Sequence, residues 1–138
     1  MSFAYERKIN YYETDKMGVV HHSNYIRFLE EARCYWLEKE KLPMGLIEEK
    51  GFTIPTLEVN CKYHTPVTSG ETIVISIFMK EYDGIKMMIE YEITNKKTNR
   101  KVASAFTRHC FTNRELKPIQ MKKYDSDIYE IFEKMKEE

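Results

Sequence analysis

The sequence predicts an α+β domain in which one long helix packs against an antiparallel sheet. Apolar residues in the first third of the chain recur with the spacing of one helix face. Later segments instead alternate apolar and polar residues, which is typical of strands that bury one face. With 138 residues, the chain fits one domain with a substantial core.

The long helix is predicted to begin just after residue 22. Its apolar stripe follows the i, i+3, i+4, i+7, i+11 pattern and consists of Tyr25, Phe28, Leu29, Ala32 and Trp36. Ser23 or Asn24 can cap the start of the helix, and Pro43 with Gly45 marks its end. A first strand is predicted ahead of the helix, at residues 5–12.

Four strands are predicted after the helix, at residues 53–64, 72–79, 85–93 and 102–111. Asp83-Gly84 is typical of a tight hairpin, so the last three strands form an antiparallel meander. From about residue 118, a short amphipathic tail carries on one side Ile128, Ile131, Phe132 and Met135. No linker or repeat interrupts the pattern, and residues 1–138 are predicted to form a single domain.

Some of the predicted strands are apolar or mixed on both faces. Val74 and Phe78, for example, lie opposite Ile73 and Ile77 along one strand. A single helix can cover only one face of a sheet. We therefore predict a homo-oligomer, a dimer or a tetramer, in which sheets pair or stack.

Composition argues against several classes of function. Lysine plus arginine equals aspartate plus glutamate, 22 against 22, so no overall positive field favours nucleic acid or an anionic membrane. No stretch approaches the roughly 18 apolar residues of a membrane span, and the N-terminus lacks the apolar core of a signal peptide. Cys34, Cys61 and Cys110 fit neither a metal site nor a disulfide framework, which predicts a cytoplasmic protein.

The most informative pair of residues is Asp15 and His22, which lie seven positions apart on either side of a glycine turn. A helix start presents unpaired backbone N–H groups and the positive end of the helix dipole. Beside a carboxylate, those donors can hold the oxygen of a polarised carbonyl while the carboxylate attacks the carbon or activates water. The pattern predicts an acyl-transfer site.

The segment from Tyr12 to Tyr25, together with Glu31-Ala32-Arg33, closely resembles the signature of the 4-hydroxybenzoyl-CoA thioesterase family. Within that family it is most similar to the YbgC-like acyl-CoA thioesterases, and Asp-x-x-Gly-Val-Val-x-His-x-x-Tyr is the specific core. The likeness continues through residues 59–66 and Gly70-Glu71 and covers about the first 110 residues. It implies the hotdog fold, one long helix wrapped by a five-stranded antiparallel sheet, in an oligomer with sites at subunit interfaces.

The resemblance also implies hydrolysis of an acyl-CoA thioester, with acyl-CoA as the binding partner and no cofactor. The family's catalytic aspartate falls on Asp15, as a nucleophile through a mixed anhydride or as a general base on water. The residue whose backbone N–H polarises the thioester carbonyl falls on His22. Two positions depart from the family: His21 stands where tyrosine is frequent, and Met17 where a smaller residue is common.

Four further residues are predicted to contact substrate: Gly18, Val19, Val20 and Tyr25. Gly18 permits a positive φ or the close approach of a ligand. The two valines serve packing or substrate contact, and Tyr25 joins the core or lines the acyl pocket. His21 beside His22 does not predict a metal site, because adjacent residues rarely bind one ion and no acidic or cysteine partner has metal spacing.

Two other functions are compatible with the same fold. A hydratase or dehydratase would use a histidine with a carboxylate on the helix, and the predicted helix has no histidine beyond its first turn. A non-catalytic acyl-CoA or protein-binding module is the other alternative, although the intact Asp-Gly-His core gives no reason to expect lost catalysis. His64 and His109, on predicted strands, are interpreted as structural residues.

Overall fold

A strand, a long helix and a run of four strands follow one another along the chain, which a computed structural model describes for residues 3–137. The strands are β1 (Phe3–Lys8), β2 (Thr56–Tyr63), β3 (Thr72–Tyr82), β4 (Lys86–Asn95) and β5 (Lys101–Cys110). The helices are α1 (Ser23–Lys39), α2 (Met44–Glu49), α3 (Met121–Tyr124) and α4 (Ser126–Glu137), and a 3-10 turn at Tyr11–Glu13 precedes α1. Residues 1, 2 and 138 of the predicted domain lie outside the described part. No helix within it is both long and apolar enough to cross a bilayer.

The five strands form one antiparallel sheet in the order β1-β3-β4-β5-β2. The predicted meander is present as β3, β4 and β5. Its first hairpin turns at Asp83-Gly84, where the Asp83 carboxylate accepts the N–H groups of Ile85 and Lys86 at 2.9 and 2.7 Å. Gly84 has a φ of 91°, which glycine adopts readily because it lacks a Cβ. The predicted five-stranded antiparallel sheet is confirmed.

The apolar stripe of α1 is buried as the sequence predicts. Phe28, Leu29 and Ala32 are fully buried, and Tyr25 and Trp36 are nearly so. The stripe shares one core with alternate residues of β3 and β4, including Ile73, Ile75, Ile77, Ile89 and Ile93. Burying an aliphatic side chain of this size contributes about 1.5–3 kcal/mol, so packing is the main force that holds α1 on the sheet.

The C-terminal segment forms a further helix, α4, that completes this core. Predicted as a short amphipathic tail, it folds into the 12-residue α4 and packs against β3. Ile128, Phe132 and Met135 are buried, and the Phe132 ring centroid lies 5.8 Å from that of Tyr82. A helix of this length is marginal in water by itself, so burial of its apolar face stabilises it. α1, with 17 residues, remains the one long helix that the sequence predicts.

Two strands, β1 and β2, are shorter than the sequence predicts. β1 ends at Lys8, because the chain turns into the 3-10 turn that ends at Glu13. β2 begins at Thr56 rather than at residue 53, just after Pro55, which has no N–H to donate to a neighbouring strand. These changes leave the order of the elements as predicted.

Candidate active site

Asp15 begins a tight hairpin that precedes α1. Its N–H donates to the Val19 carbonyl at 2.7 Å, and the Gly18 N–H donates to the Asp15 carbonyl at 2.9 Å. Gly18 has a φ of 82°, a positive value that glycine adopts readily and that was one of the two predicted roles of this residue. A three-residue loop of this kind combines a type I turn with a left-handed residue, which favours glycine. Gly18 thus determines where Asp15 lies.

The Asp15 carboxylate is oriented by its own turn. Its Oδ1 accepts the N–H of Met17 at 2.8 Å, and the residue is half-buried. Within residues 3–137, the carboxylate makes no other hydrogen bond and no ion pair. One oxygen is therefore fixed in direction, while the second oxygen stays available to a ligand.

The first turn of α1 contains an N–H group without a protein partner. The N–H of Ser23 donates to His21 Nδ1 at 3.2 Å, and that of Asn24 donates to the His21 carbonyl at 2.9 Å. The Tyr25 N–H donates to the His22 carbonyl at 3.2 Å. No hydrogen bond of the described residues uses the N–H of His22, which is the residue before the first helical one. This donor lies at the positive end of the helix dipole.

A second set of hydrogen bonds joins the hairpin to α1. The Glu13 carbonyl accepts the His21 N–H at 2.9 Å and the Asn24 side-chain Nδ2 at 2.8 Å. The prediction that Ser23 or Asn24 caps the helix is therefore wrong. His22 occupies the cap position without a side-chain bond, and Asn24 instead connects the helix to the hairpin. This connection holds Asp15 and His22 in one compact loop.

The Glu13 side chain is buried beside Arg7 of β1. Arg7 Nη1 donates to Glu13 Oε1 at 2.5 Å, and Arg7 Nε donates to Glu31 Oε1 of α1 at 2.6 Å. Burial by itself would raise the pKa of the Glu13 carboxyl. The hydrogen bonds from Arg7 and from the Asn10 N–H outweigh burial and leave this pKa below its ordinary value. Glu13 is thus ionised at neutral pH and fixes the 3-10 turn.

Asp15 and His22 line the same cleft, which has a volume of about 340 Å³. Its other walls come from the hairpin, the first turn of α1 and the end of β2, and include Val19, Val20, Tyr25, Tyr63, His64, Thr65 and Pro66. Ligand pockets in proteins usually have volumes of about 300–1,000 Å³, so a small acyl group fits here. The cleft places a carboxylate and a helix N-terminus around one space.

Five of the six predicted site residues line this cleft, and Gly18 does not. Gly18 is exposed and acts on the site only through the shape of the turn. Val20 and Tyr25 are each 5% exposed, so they belong to the core and to the cleft wall at the same time. The two roles that the sequence left open for these residues, packing in the core and contact with substrate, are therefore compatible.

Residues at the end of β2 also line the cleft, although the sequence did not predict them as such. The Tyr63 hydroxyl donates to the His22 carbonyl at 3.4 Å, and its ring centroid lies 5.1 Å from that of Tyr25. The one available signal is a β-rich segment that stops before Pro66. Nothing local in the sequence indicates that this segment meets the start of a helix 41 residues earlier.

Each histidine near the cleft contacts another side chain, by ring stacking or by a hydrogen bond. The His21 ring stacks on the His22 ring with centroids 4.3 Å apart. His64, which lines the cleft, also bonds through Nε2 to the Ser104 hydroxyl at 2.9 Å. In the described part of the chain, no group of three His, Cys, Asp or Glu residues could hold a metal ion.

Comparison with known proteins identifies the family. The profile of the thioesterase-like superfamily matches residues 9–132. The chain belongs to this superfamily. The match extends beyond the first 110 residues that the resemblance in the sequence covers, and it includes much of the C-terminal helix α4.

Relatives with assigned names agree with this membership. YneP of Bacillus subtilis is 30% identical over 131 residues, which is 95% of each chain. It bears the provisional name of an acyl-CoA thioesterase. Acyl-CoA thioesterase YbgC of Helicobacter pylori is 27% identical over 123 residues, 88% of this chain and 78% of that protein. The predicted enzyme class, a thioester hydrolase, is confirmed.

Solved structures of other proteins superpose closely on the chain. DHNA-CoA thioesterase from Staphylococcus aureus has a TM-score of 0.90 at 27% identity and covers 96% of this chain and 89% of its own. The hypothetical protein TT1821 from Thermus thermophilus has a TM-score of 0.88 at 30% identity and covers 98% of both chains. The predicted hotdog fold is confirmed.

Proposed function

We propose that this thioesterase-like chain hydrolyses acyl-CoA thioesters to a free acid and coenzyme A. The observation that carries the proposal is the cleft at the start of α1, which the Asp15 carboxylate and His22 line together. Superfamily membership and relatives named as acyl-CoA thioesterases support the same reaction. The reaction needs water and no cofactor.

In this reaction, the His22 N–H donates a hydrogen bond to the carbonyl oxygen of the thioester. This N–H has no partner among the described residues and lies at a helix N-terminus. As negative charge develops on the oxygen in the transition state, the hydrogen bond and the helix dipole stabilise it more strongly than the ground state. Because the donor belongs to the backbone, His22→Ala should retain most of the activity.

Asp15 supplies the second half of the chemistry by one of two routes. As a nucleophile, its carboxylate oxygen bonds to the carbonyl carbon and the C–S bond breaks, which releases the thiolate of coenzyme A and leaves a mixed anhydride that water hydrolyses. As a general base, it removes a proton from a water molecule whose oxygen attacks the same carbon. The C–S bond then breaks, and the thiolate of coenzyme A takes up the proton. Both routes require an ionised carboxylate and give the same products.

The apolar cleft walls are the proposed contacts for the acyl group. Val19, Val20 and Tyr25 provide such walls beside Asp15. Relatives include proteins named acyl-CoA thioesterase and others named 1,4-dihydroxy-2-naphthoyl-CoA hydrolase. A substrate panel therefore has to include short aliphatic, long aliphatic and aromatic acyl-CoA thioesters.

The test measures thiol release from this panel by the wild type, Asp15→Asn and Asp15→Ala. We expect at least one good substrate, and a loss of about 100-fold or more in kcat for both variants because the charge that attacks or activates water is absent. Asp127→Asn is the matched control, since Asp127 is an exposed aspartate on α4. Its kcat should equal that of the wild type.

Three results would contradict the proposal. Undiminished turnover in both Asp15 variants would remove Asp15 from the mechanism. Binding of acyl-CoA in a calorimeter without thiol release over hours would favour a non-catalytic binding module. A change in enoyl absorbance without thiol release would indicate a hydratase or dehydratase.

A further inference from the structure

A second cavity lies far along α1 from the Asp15 cleft. It has a volume of about 440 Å³, and none of its lining residues lines the first cleft. Its walls come from the second half of α1, from the sheet, and from α2 and α4. They are largely apolar and rich in methionine, and include Trp36, Met44, Met79, Met87, Phe132 and Met135. Methionine adapts its shape to a flexible apolar chain.

One side of this cavity is polar and is organised by a chain of buried hydrogen bonds. Burial, with a contribution from the charge of Arg33, lowers the pKa of His109 to about 4, so its ring is neutral at pH 7. The ring bonds through Nε2 to the Thr107 hydroxyl at 2.8 Å and through Nδ1 to the Thr56 hydroxyl at 3.3 Å. Both partners are hydroxyls, which can donate or accept, so both ring nitrogens of the neutral histidine have a partner.

The series of hydrogen bonds continues from Thr107 through Tyr91 to Arg33 of α1. The Thr107 hydroxyl also lies 2.6 Å from the Tyr91 hydroxyl, with which it shares a hydrogen bond. The Tyr91 oxygen in turn accepts from Arg33 Nη1 at 3.1 Å. The Arg33 guanidinium is held in place by a neutral partner.

Arg33 keeps most of its hydrogen-bonding capacity. In the part of the chain that the structure describes, its guanidinium makes one hydrogen bond and no ion pair, although the residue is half-buried and lines the cavity. Guanidinium has five N–H donors in a planar arrangement that suits a carboxylate. Glu30 and Glu48 also line the cavity, but both are exposed, so water and salt screen their charges.

We infer that this cavity binds an amphipathic carboxylic acid, with its carboxylate on Arg33 and its apolar chain among the methionines and Trp36. The volume lies within the range of known small-molecule pockets. The ligand is of the same chemical class as the acid released by thioester hydrolysis. Its binding does not depend on Asp15, because the two cavities share no lining residue.

Trp36 provides a direct readout, since it lines the cavity and is the one tryptophan of the chain. Bromine quenches indole fluorescence only on close contact. We expect 12-bromododecanoate to quench Trp36 saturably, and 12-bromododecan-1-ol to bind about 10- to 100-fold more weakly because it lacks the charged hydrogen bonds to Arg33. Asp15→Asn should bind the acid as the wild type does.

Arg33→Met keeps the length of the side chain and removes its charge. It should lower affinity for the acid to that for the alcohol, whereas Arg27→Met, at an exposed position of the same helix, should leave the preference intact. Absence of saturable quenching, equal affinity for acid and alcohol in the wild type, or an equal loss in both arginine variants would overturn the inference. If Arg33→Met does not fold, the comparison of acid with alcohol on wild-type protein decides.

Discussion

At the level of single residues, the Glu13 carbonyl fixes the geometry of the proposed active site. It accepts hydrogen bonds from the His21 N–H and the Asn24 side chain. Both donors belong to the start of α1, whereas Glu13 lies just before Asp15 in the hairpin. These bonds therefore hold the Asp15 carboxylate in a defined position relative to the His22 N–H.

Asn24→Ala should slow the enzyme without emptying the cleft. A displacement of about 1 Å at a reacting centre can cost about 100-fold in rate. We expect kcat for acyl-CoA hydrolysis to fall about 10- to 100-fold while KM changes little. The free energy of unfolding should fall by only about 1 kcal/mol, because one hydrogen bond is lost. Steady-state kinetics and urea unfolding measure the two effects.

The matched control for this position is Asn24→Asp. It keeps the shape of the side chain, but an ionised carboxylate cannot donate to the Glu13 carbonyl. Its kcat should be as low as that of Asn24→Ala. A wild-type kcat in Asn24→Asp would show that the hydrogen bond does not position the site.

At the level of elements, the Arg7 side chain joins β1, the 3-10 turn and α1, because it forms ion pairs with two carboxylates. Arg7 of β1 bonds to Glu13 in the turn and to Glu31 on the helix, and its guanidinium lies 4.3 Å from the Phe28 ring centroid. Charges removed from water are tolerated when they are paired, and loss of one partner leaves the other unsatisfied. The orientation of the hairpin that contains Asp15 therefore depends on a strand residue outside the cleft.

Glu13→Gln should destabilise the protein in a pH-dependent way. The folded-state pKa of Glu13 lies below its ordinary value, so its stabilising effect is complete above the unfolded-state pKa of about 4.3 and is lost as pH falls through the folded-state value. At pH 7 we expect a loss of about 1–3 kcal/mol in the free energy of unfolding, and a smaller loss at pH 3.5. Urea titrations at both pH values measure it.

Glu6→Gln is the control for that experiment. Glu6 pairs with Lys96 on the surface, where both side chains are more than half exposed. Exposed pairs of this kind contribute about 0–1 kcal/mol, so little change is expected at either pH. An equal effect of the two substitutions would contradict a special role for the buried pair.

The elements that the sequence predicts best are those determined by local spacing. The stripe of α1 and the Asp83-Gly84 hairpin follow from neighbours within a few residues, and so does the relation of Asp15 to His22. The role of α4 was missed because an apolar helix face does not reveal which surface covers it. Tyr63 was missed for the same reason: its contact with His22 depends on how the sheet curls around the helix.

At the level of the whole molecule, β2 leaves one edge of the sheet open. Within residues 3–137 it pairs only with β5. Leu57, Val59 and Tyr63 on this strand are 55%, 38% and 50% exposed. These apolar side chains alternate with the exposed polar residues Glu58, Asn60 and Lys62, and the open edge of β2 can pair with another strand. The predicted homo-oligomer therefore has a candidate interface along β2.

Val59→Lys should separate the copies, because a charge on an edge strand opposes pairing. We expect gel filtration with light scattering at micromolar concentration to show an oligomer for the wild type and a smaller species for this variant. Thr98→Lys, in the exposed loop between β4 and β5, should leave the mass unchanged. A monomeric wild type would refute the oligomer, and an unaltered mass for Val59→Lys would place the interface elsewhere.

Tyr63 belongs to two surfaces at once. It ends the open edge strand, and its hydroxyl reaches over the first residues of the helix that carries the proposed oxyanion donor. Contact with a neighbouring copy along β2 would restrict the tyrosine ring and so narrow the entrance for an acyl chain. The choice of substrate would then be a property of the assembled particle, and an isolated chain would discriminate less between short and long acids.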